Sequence, residues 1–384
     1  MKNGRHNLFA RALITILSCL LCVSVLAIAL FPVIFTQHKD VQINLPSDEK
    51  VLDAYDMLID QSFEDAKSAT LAVRKRFWLP EDATCGPVPN ASCYGTSDSP
   101  SELGWLLEAA APVLDGQDTL FSTETVIMPG SQVTYYLDES IFAVTWKQIM
   151  TNYVFTISEV KISDPSQFRR HLADDTYDSK KLYPTTEMAQ KVNAVVGSSA
   201  DYYRGRKFGI VVHDGQVMRI NMADKADVCY IDDQGNLIFS YAGDLLTLED
   251  AQKFVDENNI QFSISFGPII IDNGERKDPE NYPIGETNDN YARAALCQRD
   301  ELHYYVIAAN WEGTYTNNQT IHEFTENLLT LGCQKAYTLD GGNTAAIAMD
   351  GKLINRTAFG YQRHLSDIIY FATAMPSPTN SHQE

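Results

Sequence analysis

Short apolar runs separated by turn residues dominate the chain from Thr125 onward. Nine of these runs read as strands, being rich in β-branched and aromatic residues: Gln132 to Leu137, Tyr153 to Ile162, Phe208 to His213, Val228 to Ile231, Leu237 to Tyr241, Phe262 to Ile271, Tyr304 to Ala309, Ala336 to Leu339 and Ile368 to Ala372. Asp214-Gly215 and Asn273-Gly274 supply the left-handed residues that two-residue hairpins need, and Gln234-Gly235 offers a weaker version. Two stretches switch to a helical period. Thr247 with Asp250 opens one that runs to about Glu257. Thr320 and Glu323 form the capping box of another, whose Ile321, Phe324, Leu328 and Leu331 share a face before Gly332 stops it. Strands with a few interspersed helices predict a mixed α+β fold of short strands and hairpins rather than a doubly wound sheet.

Upstream the pattern differs. From Ala12 to Phe35 there is no charged residue, and at ~1.5 Å per residue a helix of that length crosses a hydrocarbon core of ~30 Å. Lys2, Arg5 and Arg11 precede it, which places the short N-terminus in the cytoplasm and everything after Gln37 outside. The run reads as an uncleaved single-pass anchor in the lipid bilayer; Ala27-Ile28-Ala29 is the cleavage site of the competing signal-peptide reading. Ser47 to Phe77 carries apolar residues near a 3.6 period and reads as a stalk or packing helix. Pro80 to Pro112, rich in Pro, Gly, Ser and Asn, reads as a loop-rich connector. The expected organisation is therefore an anchor over 1–36, an extracytoplasmic stalk and connector over 37–124, a principal domain over 125–374 and a polar tail over 375–384.

Composition narrows the partners. Apolar content of 45% and charged content of 21% are those of a globular protein, and a formal charge of -20 argues against nucleic acid, whose binding needs clustered Lys and Arg. An anionic substrate would have to be met by a few local arginines against an unfavourable overall field. Of the 7 cysteines, Cys85 and Cys93 bracket a turn-rich loop that a disulfide could close, with a free pair as the alternative. None of the spacings fits zinc.

The familiar nucleophile elbow, zinc-helix, phosphate-loop and calcium-loop motifs are missing. What remains is a set of carboxylates and arginines beside glycines: Asp201-Tyr202-Tyr203 with Arg206, Gly267-Pro268, Ala292-Arg293-Ala294, Leu339-Asp340-Gly341-Gly342, and Arg363 with Ser366-Asp367. The apolar run ending at Asp340 and two glycines predicts a carboxylate at a strand's end, facing a cleft. Asp232-Asp233 before Gln234-Gly235 reads as turn chemistry.

In this order the motifs resemble the phosphodiester glycosidase family over about Ser131 to Thr373. Ser199-Ala200-Asp201-Tyr202-Tyr203 is similar to the family's Asn-Gly-Asp-Tyr-Tyr, Arg293-Ala294-Ala295-Leu296-Cys297 to its Arg-Thr-Ala-Ile-Gly, and Leu339-Asp340-Gly341-Gly342-Asn343-Thr344-Ala345-Ala346 to its Leu-Asp-Gly-Gly-Gly-Ser-Ser-Thr. Arg363-His364-Leu365-Ser366-Asp367 falls where the family has Arg-x-x-Ser-Asp. The resemblance implies hydrolysis of a sugar-1-phosphodiester, N-acetylglucosamine-like, with a carbohydrate as partner, and the expected extracytoplasmic position points to a cell-envelope polymer. Arg293 and Arg363 would clamp phosphate oxygens, and Asp340 or Asp201 would stabilise the oxocarbenium-like centre or activate water. Ser199, Tyr203, Arg206, Gly267, Asn310, Gly341, Gly342, Asn343 and Thr344 would bind substrate, with bare N-H groups at Gly341 and Gly342 holding oxygens. No cofactor is implied, although the pattern leaves room for a divalent cation near Asp340. Departures stand at Ser199, at Asn310 and Glu312, where many members carry Asp and Arg, and at Asn343-Thr344-Ala345-Ala346. They point to a changed substrate or to a surface protein that binds glycans without cleaving them.

Overall fold

The structure is a computed structural model that describes residues 77–80, 83–122, 132–150, 153–279, 282, 289–310 and 319–377. All of them belong to the second of two units, which divide between Thr70 and Leu71. The anchor at Ala12 to Phe35, the stalk helix up to its last residue, Phe77, and Glu312 lie outside the described residues. Among the described residues no helix is long and apolar enough to cross a membrane.

A nine-stranded antiparallel sheet forms the frame, in the spatial order 94–97, 133–137, 141–150, 153–162, 303–310, 293–300, 335–339, 269–272 and 275–276. Its central strands are buried on both faces. In the strand His303–Asn310, Tyr304, Val306 and Ala308 enter one core while Tyr305, Ile307 and Ala309 enter the other, as the period of two requires. One face carries helices Pro100–Leu114 (α1) and Ile321–Thr330, with Leu103, Leu106, Phe324 and Leu328 packed on it. The other face packs on an antiparallel five-stranded sheet ordered 352–353, 347–349, 194–199, 367–372 and 168–172. A short helix, Thr185–Lys191 (α2), lies behind that sheet. A three-stranded sheet and the hairpin Gly209–His213/Gln216–Asn221 complete the set. The helix Leu248–Glu257 (α3) packs with the hairpin, and Ile321–Thr330 is α4 in chain order.

The mixed α+β expectation holds, and so do its local signals. Asp214-Gly215 and Asn273-Gly274 turn with positive φ at both residues, Thr247 caps α3, and Thr320 with Glu323 closes the capping box of α4. Two readings are corrected and one left open is decided. The Pro80 to Pro112 stretch is not all loop: Tyr94–Ser97 is the edge strand of the large sheet, and α1 starts at Pro100, where the first turn tolerates proline's missing N-H. Phe262 to Ile271 is two strands in different sheets, Ile260–Ile264 and Ile269–Asp272, separated at Gly267-Pro268, where Gly267 takes φ +68°. Cys85 and Cys93 are both free thiols.

Candidate active site

The cleft opens where the ends of the two large sheets meet. The register Ala294↔Leu339 sets the start of strand Arg293–Asp300 beside the end of strand Lys335–Leu339, so Arg293 and Asp340 emerge at the same rim. From the five-stranded sheet, Ala194–Ser199 runs out into Asp201 and Tyr202, and Arg363 lies just before Asp367–Ala372. The resulting cleft has a volume of about 170 Å³. Its polar walls are Arg206, Arg293, Arg363 and Asp340, and Tyr202, Phe266, Gly267 and Tyr291 supply much of the remainder.

Among the described residues that line the cleft, Asp340 is the one carboxylate. Its side chain is 7% exposed, and its Oδ2 lies 2.5 Å from Nη2 of Arg363, which is 42% exposed. Burial pushes the Asp340 carboxyl above the ordinary aspartate value, and the Arg363 charge pulls it back toward ionisation. Arg363 in turn lies 4.7 Å from the centroid of the Tyr202 ring, and its buried Nε has no hydrogen-bond partner among the described residues. Arg206 donates to the Phe266 carbonyl at 3.1 Å with its guanidinium 3.8 Å from the Phe266 ring centroid. Arg293 donates to the carbonyls of Asp289 (2.7 Å) and Gln319 (3.4 Å), which fix it in the wall.

The two glycines have a different reason from the one expected. A Cβ on Gly341 would come within 2.5 Å of the Ala292 carbonyl oxygen, and Gly342 takes φ +62°. The Gly342 N-H is not bare: it donates to Ala292 at 2.9 Å, tying the Asp340 loop to the Arg293 strand. Asn343 accepts from Phe359 N-H (2.7 Å) through its side chain and from Arg363 N-H (3.1 Å) through its carbonyl, so it holds the loop that carries Arg363. Thr344 Oγ1 donates to the Gly341 carbonyl at 2.5 Å.

The structure thus brings Asp340, Arg206, Arg293, Arg363, Gly267 and Gly341 together on the cleft wall and sets the other candidates behind it. Asp201 is 1% exposed and accepts from Tyr202 N-H (2.6 Å) and Ser265 N-H (2.9 Å). Ser199 is buried and donates to the Asp340 carbonyl at 3.3 Å. Tyr203 turns into the core, stacked on Tyr177 with ring centroids 5.2 Å apart, while its neighbour Tyr202 takes the cleft. Asn310 is buried and donates to the Arg356 carbonyl at 3.2 Å. Tyr291 and Phe266 had no signal beyond their places next to Ala292-Arg293 and Gly267. Among the described residues no group of three or more His, Cys, Asp or Glu side chains is placed to hold a metal ion.

Known proteins resemble this chain in sequence and in fold. The SPbeta prophage-derived uncharacterized protein YomE of Bacillus subtilis (strain 168) is 23% identical over 191 residues, covering 47% of this chain but only 28% of that relative's length. The zebrafish N-acetylglucosamine-1-phosphodiester alpha-N-acetylglucosaminidase catalytic domain, auto-inhibited by its pro-peptide, aligns with a TM-score of 0.51 at 16% identity, over 68% of this chain and 92% of that one. That likeness is one of fold. A hypothetical protein from Synechocystis aligns with a TM-score of 0.48 at 14% identity, over 60% of this chain and 62% of that one. Residues 190–372, which include every residue named above on the cleft wall, match the model of the phosphodiester glycosidase family.

Proposed function

We propose that the cleft hydrolyses the bond between the anomeric carbon and the phosphate oxygen of a sugar-1-phosphodiester, outside the cytoplasm and tethered by the N-terminal span. The observation that carries this reading is the buried carboxylate of Asp340, the single one lining the cleft among the described residues, set among Arg206, Arg293 and Arg363. A phosphodiester carries one negative charge and the phosphomonoester it releases up to two, so Arg206, Arg293 and Arg363 complement both substrate and leaving group. Because the second pKa of a phosphomonoester is ~6, the leaving group departs as an anion and needs no general acid. Asp340, whose ionised form Arg363 favours, faces the positive charge that develops at the anomeric carbon, or takes the proton of the water that attacks it. Water supplies the hydroxyl of the free sugar, and the aglycone leaves as its phosphomonoester. The extracytoplasmic address favours a cell-envelope glycan, and N-acetylglucosamine is the sugar to try first, as in the name of the zebrafish enzyme of similar fold.

The test is release of free sugar from a panel of sugar-1-phosphodiesters by the full chain and by Asp340→Asn. Turnover by the wild type that falls by ~10²–10⁴-fold in the variant supports the reading; equal turnover by both removes Asp340 from it. A second reading, binding without cleavage, draws on Asn310, a neutral amide already donating to Arg356 where many members of the family carry an acid. It expects sugar-phosphate binding with no turnover.

A further inference from the structure

Beneath the cleft lies a buried charge cluster that touches no part of the cavity. Arg170, on the strand Phe168–Leu172, has a fully buried side chain that donates to three groups from separate stretches of chain, with a fourth, Asp201, within ion-pair range. Nε donates to Asp367 Oδ2 at 2.8 Å, and Nη2 lies 2.8 Å from the same oxygen and 3.7 Å from Asp201 Oδ2. Nη1 donates to the carbonyls of Ser263 (2.5 Å) and Val212 (3.3 Å). The guanidinium lies 5.4 Å from the Tyr203 ring centroid. Each of three partners leads into a cleft wall. Asp201 accepts from Tyr202 N-H and so starts the turn in which Gly205 and Arg206 donate back to the Tyr202 carbonyl. Ser263 runs on to Ser265, whose N-H Asp201 also holds, and then to Phe266 and Gly267. Asp367 ends the segment that begins at Arg363.

We infer that Arg170 is a positioning residue of the cleft, setting Tyr202 with Arg206, Phe266 with Gly267, and Arg363 relative to one another through Asp201, Ser263 and Asp367. Arg170 lies outside residues 190–372, so the stretch that matches the glycosidase family takes its registration from a residue before it. A planar fork is required: a lysine keeps the charge but is a compact head on a flexible stem and cannot make several fixed bonds at once. The arrangement assigns Asp201 to holding two walls together, which removes it from direct contact with substrate. A displacement of even ~1 Å at a phosphate clamp costs on the order of 10²-fold in rate.

This inference rests on the hydrolytic reading for its kinetic consequence but not for its structural one, and the experiment separates the two. Hydrogen-deuterium exchange of the full chain is followed by mass spectrometry in peptides covering 201–206 and 263–267, beside kcat and KM for the best sugar-1-phosphodiester. Folded Arg170→Lys is expected to exchange there at least ~10-fold faster, with the strands Ile141–Met150 and Tyr153–Ile162 unchanged, and to lose ~10²-fold in kcat with KM within about threefold. Arg276→Lys, altering an exposed arginine paired with Asp278 and Glu326, is the control and changes neither. Should Arg170→Lys not fold, Asp201→Asn replaces it and is expected to loosen the same two peptides. Unchanged exchange in both peptides overturns the inference, and so does an unchanged kcat. If the wild type turns over no phosphodiester, the hydrolytic reading falls, and exchange alone decides the role of Arg170.

Discussion

Arg363 and Asp340 face each other across the seam of two sheets: Asp340 ends a strand of the nine-stranded sheet, Arg363 leads into a strand of the five-stranded one, and Nη2 and Oδ2 are 2.5 Å apart. The half-exposed arginine pairs with a buried carboxylate, and in the proposed reaction the exposed part of its fork meets the phosphate.

Removing that arginine moves the pH profile in a defined direction. Burial raises the Asp340 pKa and Arg363 lowers it. Arg363→Gln leaves the first effect and deletes the second, so the carboxyl is protonated up to higher pH and the acid limb of kcat/KM shifts upward. The maximal rate also falls, by ~10²–10³-fold, as for loss of one transition-state donor. An acid limb that stays in place or moves down would refute the pairing as the source of the ionised carboxylate.

Asp367 makes stability depend on pH. Burial, opposed by Arg170 and assisted by Asp201, leaves its carboxyl raised from the ordinary 3.8 to about 7. Tyr203 and the Ser366 hydroxyl are its other polar neighbours. An acid whose pKa is higher folded than unfolded binds more protons in the folded state, so its contribution is intact below 3.8 and is lost as pH rises toward 7. Denaturant midpoints of wild type and Asp367→Asn measured at about pH 4 and about pH 8 check this. The difference should move in favour of the variant at the higher pH, and a constant difference would contradict it.

Gly341 is confined by backbone rather than by conformation. Its φ is -95°, open to any residue, but an added Cβ would meet the Ala292 carbonyl oxygen at 2.5 Å. Gly341→Ala is expected to destabilise the chain by ~1–3 kcal/mol, as overpacking does, and to lower kcat/KM because Asp340 and Arg293 are forced apart. Chemical denaturation beside steady-state kinetics measures both; a variant as stable and as active as the wild type would show that the contact is not limiting.

What was legible in the sequence follows from how each signal arises. An apolar strand running into Asp340 and two glycines announces a strand end with a side-chain-free turn, and that is where the cleft lies. The Thr320–Glu323 box and the Asp214-Gly215 and Asn273-Gly274 turns are local chemistry that needs no tertiary context. The strand Arg293–Asp300 escaped because its burial on both faces erases the alternation that marks a strand and it has no β-branched or aromatic residue to replace that signal. The composition of Pro80 to Pro112 hid α1, although Leu103, Leu106, Ala110 and Val113 share its buried face. Tyr202 and Tyr203 are chemically alike and adjacent; which one faces the cleft is set by the hydrogen bond from Tyr202 N-H to Asp201, not by the pair itself. Arg169 and Arg170 present the same difficulty. One binds surface-loop carbonyls at Pro80 and Ala83, and the other is fully buried.

In the proposed reaction the bond broken is the one between the anomeric carbon and oxygen. Turnover of a sugar-1-phosphodiester in ¹⁸O-labelled water, with mass analysis of both products, tests it directly. Label is expected in the free sugar and none in the phosphomonoester, with turnover lost in Asp340→Asn. Label in the phosphate product would mean attack at phosphorus, making the cleft a phosphodiesterase and contradicting the role given to Asp340.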